Sequence, residues 1–352
     1  MKYRVFAILL SLILSFSLCI SAVAESCPPV SAECAVLIEA DSRDIVFEKN
    51  GDVPCSMAST TKIMTALVVL EMLPLDHVFT VHDSAVGTEG TSAYLKIGDS
   101  MTVEAALYAL LLQSANDVAN ALAIEVGGSV AGFSELMNNK AKELSLTSTR
   151  FANPSGLPAE GHYTTAKDLA RLAAACLENK TFYSIVSQKS ATVIIGGEER
   201  TFVNHNKLLS LYDGAIGVKT GFTKESGRCL VGAAERDGVR LISVTLSAPN
   251  DWNDHKAMLD LGFELYKSYT LCAKNEFIIA IPVAGRSKKL YVSVNETKKA
   301  TLKKGSQITA KIYADSIIFA PIKKGQTIGH AVFFSDGKEL CRITLTAKED
   351  VN

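Results

Sequence analysis

The sequence predicts an α/β (α+β) domain followed by a small all-β domain. Two patterns carry that prediction. Up to about residue 274, apolar runs at helical spacing intermix with runs that alternate apolar and polar residues, the mixture expected of helices packed on a sheet. From about residue 275 only short alternating runs remain, punctuated by glycine turns. A chain of 352 residues has room for two domains of ordinary size, and 48% hydrophobic content is ample for packed cores. The division expected is 1–24 leader, 25–34 linker, 35–274 first domain and 275–352 second domain.

Residues 1–24 read as a secretory leader: Lys2 and Arg4, an apolar stretch from Val5 to Ile20, then Ala22-Val23-Ala24 as a small-x-small cleavage site before Glu25. Bulky Leu18 disfavours a lipid anchor at Cys19. The apolar stretch approaches a spanning length, so the alternative is an uncleaved anchor, with membrane contact only through the N-terminal segment. After Pro28-Pro29, Ala35–Ala40 and Ile45–Glu48 form a hairpin about Asp41-Ser42-Arg43-Asp44. The run from Thr60 to Leu73 contains no glycine or proline and predicts a buried helix with Ser59 in its first turn.

A helical pattern returns from Thr102 to Val126, with Asn116 and Asp117 interrupting helix propensity inside it. Helices are expected at Val130–Leu144 and Thr165–Leu177, the second with Thr164 or Thr165 near its N-cap. From Ala191 the pattern becomes β-like. Arg228–Glu235 and Arg240–Leu246 are strands about Arg236-Asp237-Gly238, Lys219-Thr220-Gly221 lies at the edge of their sheet, and a helix at Asp254–Tyr269 closes the domain near Leu271. The later strands are Phe277–Val283, Leu290–Val294, Gln307–Ile312, Ala331–Phe334 and Leu340–Leu345.

Charge excludes some functions. Lys and Arg number 36 against 37 Asp and Glu, and loss of Lys2 and Arg4 makes the balance more acidic, so no nucleic acid or anionic membrane surface is favoured as a partner. Of eight cysteines an odd number remains without Cys19, against a complete disulfide framework; Cys27 and Cys34 are a candidate pair, and the wide scatter of the others predicts mostly buried apolar thiols. The six histidines have no metal-ligand spacing with the cysteines, and neither metal nor organic cofactor is called for.

Three motifs carry chemistry: Ser59-Thr60-Thr61-Lys62, Ser114-Ala115-Asn116 and Lys219-Thr220-Gly221. Lys62 falls one helical turn after Ser59 and faces the same way. A serine hydroxyl needs a base within hydrogen-bond reach, and lysine serves if it is neutral. Burial disfavours the ammonium, as does a second cation, for which Lys219 is the candidate. The helix N-terminus favours a developing alkoxide at Ser59. Ser114 supplies a hydroxyl for proton relay, and Asn116 an amide that holds a peptide backbone and steadies Lys62. Lys219-Thr220-Gly221 offers a strand edge for an extended peptide, a glycine for close approach, and Thr220 with Lys219 for a terminal carboxylate. Each motif is weak by itself, since a second S-x-x-K (Ser335 to Lys338) and a second S-x-N (Ser293 to Asn295) occur late in the chain. Ser335-Asp336-Gly337-Lys338 reads as a hairpin turn, expected to splay its two side chains apart. Cys55 precedes Ser59 by four residues, but no histidine is placed by sequence to activate it, so it reads as a structural thiol. His162 and His205 are candidates for the cleft lining, for the surface or for the core.

These motifs, with Met57-Ala58, Ile63-Met64-Thr65, Phe151-Ala152-Asn153-Pro154-Ser155-Gly156-Leu157 and Gly221-Phe222-Thr223, resemble those of the S-x-x-K serine acyltransferases, the penicillin-binding proteins and serine β-lactamases. Within that group the chain is similar to the low-molecular-mass D-Ala-D-Ala carboxypeptidases from about Ala35 onward. The resemblance implies a penicillin-binding/β-lactamase-like transpeptidase domain. It implies Ser59, Lys62 and Ser114 as catalytic residues, Asn116, Lys219, Thr220, Gly221 and Phe222 as substrate-binding residues, and an oxyanion hole at the Ser59 and Phe222 N–H groups. It implies a secreted, extracytoplasmic enzyme whose partners are peptidoglycan stem peptides ending in D-Ala-D-Ala, with β-lactams as inhibitors. One departure stands out: relatives often carry an arginine after the strand that follows K-T-G, and here Pro249-Asn250-Asp251-Trp252-Asn253-Asp254 holds none. The alternatives are a β-lactamase, disfavoured by the missing E-x-x-L-N box, a D,D-endopeptidase, and an inactive sensor of cell-wall peptides.

Overall fold

A computed structural model describes residues 29–276 and 278–352. The expected leader, Cys19, Cys27, Pro28 and Phe277 lie outside the described residues.

β1 (Cys34–Glu39) and β2 (Ile45–Lys49) form the hairpin read from the sequence. Two small ribbons follow, β3 (Val78–Thr80) with β4 (Ser100–Thr102), and β5 (Ser190–Ile195) with β6 (Glu198–Val203). β7 (Ala215–Thr223), β8 (Gly227–Arg236) and β9 (Val239–Leu246) complete an antiparallel five-stranded sheet in the order β2-β1-β9-β8-β7, with β7 at one edge. β1 sends Val36 and Ile38 into one core and Ala35 and Leu37 into another, which is why its apolar run is continuous rather than alternating. The first core gathers the helices Lys62–Met72, Asn116–Gly127, Val130–Glu143 and Ala166–Glu178. Thr165 caps the last of these, its Oγ1 accepting from Asp168 N at 3.1 Å. The opposite face is covered by the helix Asp251–Leu265, with Met258 and Leu259 against Leu37 and Leu241.

Two expectations are corrected. The helix expected at Asp254–Tyr269 runs over Asp251–Leu265, and β10 (Tyr266–Cys272) follows at once. The segment Tyr-Lys-Ser-Tyr-Thr is rich in strand formers and is claimed by pairing across the chain. Beyond it lie β11 (Ile279–Pro282), β12 (Lys289–Val294), β13 (Lys298–Lys303), β14 (Ile308–Ala314), β15 (Thr327–Ser335) and β16 (Lys338–Ala347). β10 pairs with β13, and the others form an antiparallel sheet in the order β11-β12-β16-β15-β14 over its own core. We therefore propose that the division falls near Tyr266, ahead of 274/275, since it keeps β10 with its partner. The second correction concerns Ser335 and Lys338. They end and begin the expected hairpin as register partners, so they stand opposite one another rather than splayed.

Of the thiols, Cys176, Cys229 and Cys272 are buried, and Cys34 Sγ lies 3.0 Å from Cys55 Sγ. No helix of the described residues is long and apolar enough to cross a membrane.

Candidate active site

Ser59 sits in a 3-10 turn, Ala58–Thr61, that runs directly into the helix Lys62–Met72, one step tighter than the α-turn expected from the sequence. The turn is locked from behind. Thr60 Oγ1 donates to Met57 O at 2.6 Å, and Thr61 Oγ1 donates to Ala58 O at 2.8 Å. His162 Nδ1 accepts from Ala152 N at 3.0 Å, so the ring proton sits on Nε2 and donates to Thr61 Oγ1 at 2.8 Å. Burial, and then the charge of Lys62, push His162 down to about 4, which keeps it neutral at ordinary pH. His162 is thus a support beneath the turn, not a cleft group. Two glycines let the neighbours close in. A Cβ on Gly156 would meet Ala58 O at 1.9 Å and Ser59 N at 2.9 Å, and one on Gly221 would lie 3.0 Å from Ser59 N.

Lys62 is fully buried, with Nζ 3.0 Å from Ser59 Oγ, 2.6 Å from Asn116 Oδ1 and 2.5 Å from Ser155 O. Burial holds its pKa well below the ordinary lysine value, and the charge of Lys219 pushes the same way, against a smaller opposing pull from Asp117. A neutral amine has two N–H groups and one lone pair. In that form the N–H groups would go to Asn116 Oδ1 and Ser155 O, and the lone pair would face the Ser59 hydroxyl. The Ser155 carbonyl is set by a tied loop, in which Asn153 Oδ1 accepts from Ser155 N at 3.1 Å and Gly156 N at 2.8 Å. In the sequence that loop stands out only as a matching flank, because a backbone acceptor has no residue signature.

Ser114 ends a π-turn, Ala109–Gln113, in the left-handed region at φ 65, a conformation that costs a serine roughly 1–2 kcal/mol. Such strain persists where the surroundings enforce it, and here it turns the chain so that Ser114 lines the cavity and Asn116 starts the next helix. Asn116 Nδ2 donates to Glu89 O at 2.7 Å. Asp117, also missed as a site residue, is buried and accepts from Ser92 Oγ, Ala93 N and Leu95 N at 2.6, 2.9 and 3.1 Å. It fixes the loop that carries Thr91 into the cavity wall. The signal for it was an acid directly after S-x-N within an apolar stretch.

Lys219 is buried on β7, donates to Thr220 O at 3.0 Å, and is pushed down to about 7 by burial. Thr220, Gly221 and Phe222 continue the edge strand, and Phe222 is exposed. Ser59, Ser114, Thr220, Gly221 and Phe222 line a cavity of about 340 Å³, whereas Lys62, Asn116 and Lys219 are buried. His205 lines it as well, its pKa lowered by burial and then by Lys219. Cys55 lies outside this group. Burial and its contact with Cys34 push its thiol up to about 12, the opposite of an activated nucleophile. Among the described residues no three His, Cys, Asp or Glu side chains converge as a metal site.

Residues 21–250 match the D-alanyl-D-alanine carboxypeptidase family, and residues 266–352 match the C-terminal domain of penicillin-binding protein 5. The D-alanyl-D-alanine carboxypeptidase DacF of Bacillus subtilis is 34% identical, over 91% of this chain and 86% of its own length. DacC of Escherichia coli, with the same description, is 32% identical over 92% and 85%. Among solved structures, penicillin-binding protein 5 from Haemophilus influenzae superposes with a TM-score of 0.69 at 28% identity, covering 92% of this chain and 98% of that one.

Proposed function

The chain belongs to the D-alanyl-D-alanine carboxypeptidase family, and from that premise we propose that it works as a serine acyltransferase with Ser59 as nucleophile. Lys62, neutral, takes the Ser59 proton as Oγ attacks the carbonyl of the penultimate D-Ala of a peptidoglycan stem pentapeptide. The N–H groups of Ser59 and Phe222 hold the oxyanion. The terminal D-Ala leaves with a proton relayed through Ser114, and water then hydrolyses the acyl-enzyme. The substrate runs antiparallel or parallel to the free edge of β7, with Asn116 on its backbone and Thr220 and Lys219 near its terminal carboxylate. A β-lactam acylates the same serine. Its substrate lies outside the cytoplasmic membrane, and so does the enzyme.

The observation that carries this reading is the fully buried Lys62 Nζ, 3.0 Å from Ser59 Oγ, with its two other neighbours both acceptors. The test is mass spectrometry of a purified pentapeptide incubated with the wild type and with Ser59→Ala. The wild type is expected to release one D-alanine and the variant none. Release by the variant would remove Ser59 from the mechanism, and cleavage at a cross-link in preference to the free terminus would point to an endopeptidase.

A further inference from the structure

The stretch after β9 lacks the arginine that the resemblance leads one to expect, yet an arginine reaches the cavity from another strand. Arg228, the second residue of β8, stands opposite Phe222 of β7. Along β7, Thr220 lies two residues from Phe222 and so on the same face, which makes Arg228 and Thr220 diagonal neighbours. Both line the cavity that holds Ser59.

The guanidinium is held from below. Its Nη2 lies 2.9 Å from Asp251 Oδ1, and its centre sits 5.6 Å from the ring of Trp252. Asp251 is nearly inaccessible, at 4% side-chain exposure, whereas the Arg228 side chain remains 43% exposed. Asp251 and Trp252 belong to the arginine-free stretch, so that segment positions an arginine instead of supplying one. A planar fork with five N–H donors keeps groups to spare after one contact with Asp251. Lys219 is poorly suited to the same task, because it is buried, its Nζ donates to Thr220 O, and its charge is weakened near neutrality.

We propose that Arg228, held by Asp251 and Trp252, binds the substrate's terminal carboxylate beside Thr220 and thereby selects a free C-terminus. The proposal rests on the Ser59 reading but is tested apart from it. The second-order rate of acylation is measured by intact mass for benzylpenicillin and for its methyl ester, with wild type, Arg228→Leu, Arg228→Lys and Ser59→Ala. Arg228→Leu is expected to slow the acid by roughly 10- to 100-fold, the scale of a lost charge-assisted hydrogen bond, and the ester by less than about threefold. Arg228→Lys, which keeps charge and stem, is expected to fall between. Equal slowing of acid and ester by both variants, or no slowing of the acid, would overturn the assignment to Arg228 while leaving the nucleophile standing. Acylation of Ser59→Ala would instead overturn the nucleophile.

Discussion

Two S-x-x-K sequences share this chain, and their surroundings make them chemically unlike. Ser59 and Lys62 lie where a tight turn enters a buried helix, with the amine fully enclosed, a second lysine close behind it, and acceptors for its N–H groups. Ser335 and Lys338 face each other across a hairpin, with the Ser335 hydroxyl donating to Asp336 at 3.1 Å and Lys338 open to solvent. A serine and a lysine at the right spacing are thus insufficient. What sets the first pair apart is the removal of water and a neighbouring cation, which together lower the amine's affinity for a proton, as the proposed roles of nucleophile and base require.

The largest expected effect breaks the first pair. Lys62→Arg keeps a long basic side chain but cannot give up its proton, so acylation by a fluorescent penicillin is expected to fall by at least roughly a thousandfold. Stopped-flow or gel labelling at matched concentrations checks this, and near-native labelling would exclude lysine as the base. A smaller effect is expected at the carboxylate end. Thr220→Val is expected to lower kcat/KM for an acid substrate by roughly one to two orders of magnitude, and far less for an amidated one. Equal losses would mean that Thr220 shapes the strand edge. The smallest effect sharpens the contrast from the other side: Ser335→Ala with Lys338→Ala is expected to change D-alanine release by less than about twofold. A larger loss would show that the C-terminal hairpin takes part in the reaction.

Most of the candidate site was legible because its side chains sit in short motifs with fixed spacing: Ser59 and Lys62 one turn apart, Asn116 at a break in an apolar helix, Thr220 on an alternating edge strand. The parts that were not legible depend on the register of distant segments or on backbone atoms. Arg228 reaches the cavity only because Phe222 is its β partner, and Ser155 contributes a carbonyl that any residue possesses. Sequence alone places His162 in the cleft, at the surface or in the core, and only its bond to Thr61 makes it a prop for the turn that carries Ser59. The same cause explains the errors in the fold. The first four residues of β10, Tyr266 to Tyr269, read as helix because their partner strand β13 lies some thirty residues away, and Ser335 reads as splayed from Lys338 because turn residues announce a hairpin without announcing its register.

Ser59 can be activated only if Lys62 gives up its proton far more readily than an ordinary lysine, and a lysine titration observes that property directly. In protein carrying 13C at the lysine ε-carbon, NMR from pH 5 to 11 separates each amine, and Lys62→Arg and Lys219→Arg assign the two buried ones. A lysine is neutral above its pKa, so the Lys62 signal is expected to reach its neutral position at a pH well below that of an ordinary lysine, because burial and then the charge of Lys219 disfavour its ammonium. Lys219, whose ammonium burial disfavours, is expected to titrate near 7. A Lys62 signal that stays at its charged position up to pH 9 or above would remove Lys62 as the base, since the lone pair proposed to take the Ser59 proton would then be absent near neutral pH.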